Sequence, residues 1–404
     1  MKKYEKYKDS GFHWVGEIPE NWEMKRIRHI AEIYGRIGYR GYKTTDLVPQ
    51  GEGAITISPS NMKDYTMEFD DCTYLSWVKY EESPEIMIHN EDILFVKTGS
   101  TYGKTSFVEN LPEKATINPQ IIVLKQIECN NKFLWYILKS NNILFQVEST
   151  VVGGTIPTIS QTRINNYTFP IPPNLDEQIQ IVNYLDKKLT NISELIADKK
   201  RLLELYEEEK IAIINQAVTK GLYSNIPMKD SGIEWLGEIP EHWEVKKLKY
   251  VIKINSGEGI KSESIKPEGN YPIYGGNGVV GYSEYFNSST DDIIIGRVGA
   301  KCGNVRLVKG EKWISDNALV SHLISEDNLR FVVIQLQNMN LNNMANKNAQ
   351  PLITGTMVKE KIGVFPSPNE QDAIVDFIES ENARIFAKSE KTIKLIDLLT
   401  ETIH

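Results

Sequence analysis

Residues Gly99 to Thr105 read Gly-Ser-Thr-Tyr-Gly-Lys-Thr, a glycine pair beside a lysine, the composition with which backbone N–H groups can cradle phosphate. The spacing is one residue short of a nucleotide-binding loop, and no convincing helix pattern follows. A related segment, Gly299 to Val305, keeps both glycines but carries Asn304 and Val305 in place of Lys104 and Thr105. Both glycine pairs are therefore read as hairpin turns. The polar residues around them can contact a nucleic acid from such a turn: Lys97, Ser100, Tyr102 and Lys104 in one copy, Arg297, Lys301 and Asn304 in the other. Lysine-bearing turns are also often no more than solvated, and that reading stays open.

A second group is Tyr274, Gly275, Gly276, Asn277 and Gly278, flanked by Tyr271 and Tyr282, where small residues let a backbone approach a partner closely. Asparagine can bond an adenine edge twice, and tyrosine can stack or touch phosphate. The stretch compared with it nearer the start is Gly35–Lys43, where Arg36, Arg40 and Lys43 alternate with glycines, Tyr39 and Tyr42. Basic residues interleaved with aromatics suit a phosphate track with stacking; a plain surface loop is the other reading. Asn118, Gln120, Asp316 and Asn317 are further candidates, since amides and carboxylates pair with base edges.

Catalytic groupings are harder to find. There is no Asn/Asp-Pro-Pro-aromatic loop, and Pro172-Pro173-Asn174 does not qualify as one. No Ser/His/Asp set, paired carboxylate or Asp/Glu-x-Lys cluster has the spacing that chemistry demands. Cys72, Cys129 and Cys302 are isolated, and the six histidines form no ligand pair, so neither a disulfide framework nor a zinc site is read. No apolar run approaches the roughly 18 residues of a membrane span, and Met-Lys-Lys leads into Tyr4 and Glu5 rather than an apolar signal, so a cytoplasmic protein is predicted. The net charge is -8, about six units of it in residues 176–227 and 369–404, which leaves the rest of the chain near neutral and able to carry a local basic surface.

The elements that position these residues occur twice. Lys8 to Ile27 returns as Lys229 to Leu248 with 13 of 20 positions identical, including Gly-Glu-Ile-Pro and two tryptophans in each copy. The segments from Glu91 and from Asp291 match at Asp92/Asp292, Ile93/Ile293, Lys97/Arg297, Gly99/Gly299, Gly103/Gly303 and Val108/Val308, and both predict strand, glycine turn, strand. Ile156–Ser160 pairs loosely with Gln350–Thr354. After a proline-rich stop, each copy passes into a helix through Glu-Gln-x-x-Ile-Val, at Glu177 and Glu370. Trp14, Trp22, Trp235 and Trp243 are read as structural, pinning each globular part to its helix.

From Val182 the positions Leu185, Leu189, Ile192, Ile196, Leu203, Tyr206, Ile213 and Ala217 follow steps of four and three, with Lys199 and Lys210 in the same seam. The later seam, Ile378, Ile385, Ile396 and Leu399 with Asn382 and Ser389 between, is more polar. So narrow a stripe needs a partner helix, and the two helices of one chain are the obvious pair. The first, about 40 residues long, would hold its ends roughly 60 Å apart. The fold class predicted is mixed α/β (α+β): two tandem-repeated domains, each followed by a long helix, the helices pairing as an antiparallel coiled coil. The divisions are 1–175, 176–221, 222–368 and 369–404.

Gly-Glu-Ile-Pro-Glu-Asn-Trp at Gly16–Trp22, Gly-Glu-Ile-Pro-Glu-His-Trp at Gly237–Trp243, the Tyr271–Tyr282 stretch and the two Glu-Gln-x-x-Ile-Val helix starts resemble the specificity subunit of a Type I restriction-modification enzyme. The resemblance covers nearly the whole chain. It implies two target recognition domains, each reading one half of a bipartite site in double-stranded DNA. It further implies helices that dock two adenine methyltransferase (modification) subunits, separate restriction/translocation subunits, and no chemistry in this chain. No cofactor is expected here; S-adenosylmethionine belongs to the partner methyltransferase subunits. The copies agree at the opening segment, hairpin and helix start and diverge over Ile30–Glu85 and Lys253–Ser289, as two readers of different half-sites on a shared scaffold would. A coiled-coil scaffold that reads no DNA, or an overlooked enzyme, would be the rival readings.

Overall fold

The computed structural model describes residues 4–153, 156–234, 236–299, 301–344 and 351–403, all but the side chains of Tyr39 and Ile403. Trp235 and Gln350 lie outside them. The chain divides into two compact units, Met1–Asn191 and Ile192–His404.

In the first unit an antiparallel sheet runs in the order Thr105–Phe107, Ile93–Val96, Ile121–Lys125, Glu32–Gly35. Successive strand residues face opposite ways, so Ile93, Phe95, Ile122 and Leu124 join one core, while Leu94, Val96, Ile121 and Val123 join another. Burial on both faces explains why these strands are apolar without interruption. One face packs on helices, among them Asn131–Leu138 and Asn141–Thr150, through Phe133, Leu134, Leu138 and Val147. The other packs on a second sheet, whose strands Gly53–Ile57 and Ala115–Ile117 pair in parallel.

The second unit repeats the plan. Its main sheet runs Ile252–Ser256, Ala318–Leu323, Asp292–Gly296, Val305–Val308. Its second sheet has three strands in place of five: Gly278–Ser283, Tyr271–Gly275 and Trp313–Ile314, the last two parallel. Below it Lys312 and Asp292 are wholly buried with Nζ and Oδ2 2.7 Å apart. Gly310 O accepts from the same ammonium, and the Ser288 and Thr290 hydroxyls donate to the carboxylate. Burial alone would raise the Asp292 carboxyl, but these donors outweigh it and hold it below its ordinary value. In the first unit the equivalent Asp92 lies 3.3 Å from Lys125, the register counterpart of His322, whose Nδ1 is 3.0 Å from Asp292 Oδ1.

The helix Leu175–Lys220 has 46 residues and Pro368–Ile403 has 36. Each begins where proline ends a strand, after Thr168–Ile171 and Ile362–Phe365. The Glu-Gln pair at each start does two jobs. Glu177 accepts from the Trp22 indole at 2.9 Å and Glu370 from the Trp243 indole at 3.2 Å. Gln178 and Gln371, both buried, each donate to the carbonyl of a preceding proline, Pro172 or Pro366, at 2.9 Å. Each also accepts from the backbone N–H of the residue that caps the sheet-facing helix, Asn130 or Asn328. Trp22 and Trp243 thus tie opening segment to helix as expected, whereas Trp14 stacks on Phe145 of the helix Asn141–Thr150.

Along the first helix the seam positions are half-buried or buried, Lys199 and Lys210 included, whereas most residues between them are exposed. In the second unit Glu209 pairs with Arg384 at 2.7 Å and Tyr206 lies under Lys388, so one helix ascends as the other descends. Ala217 and Val218 of the first helix and Ile374, Val375 and Ile378 of the second share that unit's core.

Candidate nucleic-acid interface

At one end of each main sheet the glycine hairpin is held by the same main-chain hydrogen bonds. Lys97 N–H donates to Gln120 O at 2.8 Å, and Arg297 N–H to Asn317 O at 3.1 Å. The carbonyls of Lys97 and Arg297 accept from Ile159 and Ile353, and Gly99 and Gly299 donate to Pro157 and Pro351. Across the tip, Gly103 donates to Val96 and Gly303 to Gly296. Gly103 and Gly303 have φ of 82° and 85°, and a Cβ on the latter would stand 2.4 Å from Asn342 N, so glycine is required by both conformation and space. The frame is made of backbone, and side chains on it are free to differ.

In the first unit this frame gathers Lys97, Ser100, Tyr102 and Lys104 beside Asn118 and Gln120. Ser100 and Gln120 are exposed; Lys97 and Lys104 are half-exposed and make no ion pair among the described residues. Tyr102 packs partly on the core. Asn118 and Gln120 bond each other, with Asn118 Nδ2 3.2 Å from Gln120 Oε1.

Gly35–Lys43 behaves differently from the phosphate track expected. Arg36 is only 7% exposed, its Nε and Nη2 donating to Ile117 O and its Nη2 also to Thr116 Oγ1 at 3.0 Å. Burial pulls its pKa down, and it lies 5.1 Å from the Tyr42 ring centroid. With its inward edge occupied and its charge out of solvent, Arg36 is a structural residue in this fold, and half-buried Tyr42 packs with it. Arg40 pairs with Glu85 at 3.3 Å. Lys43 is exposed, and the Tyr39 side chain lies outside the described residues.

In the second unit the pieces converge more closely. A Cβ on Gly276 would come 2.9 Å from Asn317 O and 3.3 Å from Val298 O, so the Tyr274–Gly278 turn rests directly on the hairpin shoulder. Arg306 Nη2 donates to Asn277 O at 2.9 Å and holds that turn from the other side. Asn277, Lys301, Asn304, Asp316 and Asn317 are exposed around it, and Tyr274 is half-buried. Ala300 lies outside the described residues.

Strand register shows which parts correspond. Ile57 O accepts from Asn118 N–H as Tyr274 O accepts from Ser315 N–H. The first-unit counterpart of the Tyr274–Gly278 turn is therefore Ser58–Asn61, not Gly35–Lys43. The Asn61 Oδ1 there accepts from the Ser58 N–H and hydroxyl, and Ser60 is exposed. Ser-Pro-Ser-Asn after the apolar Ala54–Ile57 run is a turn signal that could have located it.

The profile of the Type I restriction modification DNA specificity domain matches residues 19–205 and 240–395, most of both repeats. The chain belongs to this family. It is 28% identical over 275 residues to the putative type I restriction enzyme MjaX specificity subunit of Methanocaldococcus jannaschii, covering 65% of this chain and 61% of that protein. It is 34% identical over 139 residues to the type I restriction enzyme EcoprrI specificity subunit of Escherichia coli, 33% of this chain and 34% of that one. The chain thus spans about three fifths or less of the length of these relatives. In fold it resembles the HsdS subunit from Thermoanaerobacter tengcongensis, with TM-score 0.61 and 15% identity over 96% of this chain and 97% of that one. A chain from a study of the assembly and conformational transition of the type I R-M system gives TM-score 0.67 and 14% identity over 95% and 96%.

Within this member of the specificity-domain family, the described residues place no three His, Cys, Asp or Glu side chains as a metal site. Cys129 is half-buried, and burial pushes its thiol up to about 12. No helix among the described residues is long and apolar enough to cross a membrane.

Proposed function

We propose that this chain is the DNA-reading and assembly subunit of a Type I restriction-modification complex, each unit reading one half of a bipartite double-stranded site. The observation that carries the reading is the hairpin frame. Its main-chain bonds are the same in both units, while its side chains change from Lys97, Lys104, Asn118 and Gln120 to Arg297, Asn304, Ser315 and Asn317. A constant frame with variable polar tips is what two readers of different sequences need, since base edges are distinguished by side-chain donors and acceptors. In the first unit Lys43, Lys97, Ser100, Tyr102, Lys104, Asn118 and Gln120 form the reading surface; in the second, Tyr274, Gly276, Asn277, Arg297, Lys301, Asn304 and Asn317.

Target recognition then occupies residues 1–175 and 222–368, with spacer helices at 176–221 and 369–404 that pair as an antiparallel coiled coil and dock two adenine methyltransferase subunits. Those partners bind S-adenosylmethionine and carry the chemistry; restriction and translocation subunits join the same cytoplasmic complex. The test is methylation of random-sequence DNA by adenine methyltransferase subunits with and without this chain. Adding it is expected to produce one bipartite methylated motif, and exchanging residues 28–175 for another recognition domain should change one half only. No motif, or a change in both halves, would overturn the reading.

A further inference from the structure

Arg297 is set apart from the other cations of the interface by how it is held. Its backbone is pinned on both sides as that of Lys97 is, its N–H to Asn317 O at 3.1 Å and its carbonyl to Ile353 N–H at 2.9 Å, but its side chain is held as well. Its Nη1 donates to two acceptors, Ser256 Oγ at 3.4 Å and Asp316 O at 3.3 Å, which orient the guanidinium plane. The Nε–H and outer Nη2–H edge has no acceptor among the described residues, and no carboxylate among them lies within ion-pair distance. That edge is the fork which matches a planar pair of acceptors. Beside it Gly276 presents bare backbone.

The contrast with Arg36 sharpens this. Strand pairing places Ile122 opposite Gly35 and Leu319 opposite Ser256, so Arg36 stands where the second unit has Gly257. Arg36 spends its fork inward on Ile117 and Thr116. In the second unit the guanidinium sits two strands further across, at the position of Lys97, and keeps its fork outward. A phosphate contact needs charge and tolerates many orientations. An oriented fork with one nitrogen committed to its own fold suits a base edge, and in the major groove the two-acceptor edge that arginine fits is guanine O6 and N7.

We infer that Arg297 is the guanine-reading residue of the second unit, with Ser256 as its positioning residue. This rests on the DNA-reading proposal above. The test uses the full chain co-expressed with adenine methyltransferase subunits in a host without other adenine methylation, and reads the methylated motif genome-wide. Arg297→Lys keeps the charge and removes the fork. It is expected to leave one half of the motif and the spacing intact and to make a single G·C position in the other half degenerate, discrimination there falling about tenfold to a hundredfold. Ser256→Ala is expected to relax the same position partially. An unchanged motif in Arg297→Lys overturns the assignment and makes the guanidinium a phosphate contact; so does relaxation at an A·T position or in both halves. If Arg297→Lys abolishes methylation, Ser256→Ala decides by the same criteria. A native chain that yields no bipartite motif defeats the DNA-reading proposal and this assignment with it, an outcome distinct from a native motif that the variants leave unchanged.

Discussion

The Trp243 indole donates to Glu370 Oε1 at 3.2 Å and so joins the opening segment of the second repeat to the first turn of its closing helix. Trp243 is wholly buried among Leu248, Phe365 and Ile374, and His242 Nε2 lies 2.8 Å from Glu370 Oε2. Trp243→Phe should keep most of the apolar contact and lose the bond to a charged acceptor, costing about 1.5–3 kcal/mol. Trp243→Ala should cost roughly 3–5 kcal/mol. Urea unfolding followed by far-UV circular dichroism measures both; native stability in Trp243→Phe beside a large loss in Trp243→Ala would mean that the indole N–H contributes nothing.

The buried pair Asp292–Lys312 gives the second unit an acid-sensitive element. The Asp292 carboxyl is held below its ordinary value of 3.8, so its stabilisation is present above that value and is lost as pH falls through the lower folded-state value. Asp292→Asn leaves the Lys312 ammonium buried without a counter-charge and is expected to cost about 3–5 kcal/mol at neutral pH. Thermal unfolding from pH 7 down to pH 3 should show the native chain losing this margin below about pH 4, with Asp292→Asn flatter across that window.

Gly276→Ala tests the seating of the Tyr274–Gly278 turn. Its Cβ would press on Asn317 O and Val298 O, both backbone. The turn must shift, at a cost of about 1–3 kcal/mol. Under the DNA-reading proposal, methylation should become less selective in one half of the motif. A variant with native melting temperature and native motif would show that this contact has slack.

Lys104→Ala and Lys301→Ala remove charges that have no ion-pair partner among the described residues. If both contact phosphate, each should weaken binding to all duplexes alike and reduce the slope of log affinity against log salt by about 1. Fluorescence anisotropy across salt concentrations reads this; a loss confined to one base position would instead make the residue a base reader.

Much of the fold was legible because it is local or repeated. Glycine pairs predicted the hairpins, proline stops and Glu-Gln starts predicted the long helices, and the seam including Lys199 and Lys210 lies on their half-buried side. The fate of Arg36 was not legible, because its burial depends on Thr116 and Ile117, some 80 residues away. The mismatch between Gly35–Lys43 and the Tyr274 turn has a related cause. The second sheets have five strands and three, so loops alike in composition stand at different places. Gln178 and Gln371 were marked only as helix-start residues; that each closes a buried circuit between proline carbonyl and helix cap emerges only in three dimensions.

The backbone-held hairpin bears on how far its side chains can be exchanged. Since the bonds that hold the tip run between main-chain groups at Lys97/Gln120 and Arg297/Asn317, exchanging those side chains leaves the bonds in place. Under the DNA-reading proposal, what each unit reads would therefore change one substitution at a time, on a hairpin whose main-chain bonds are unaltered.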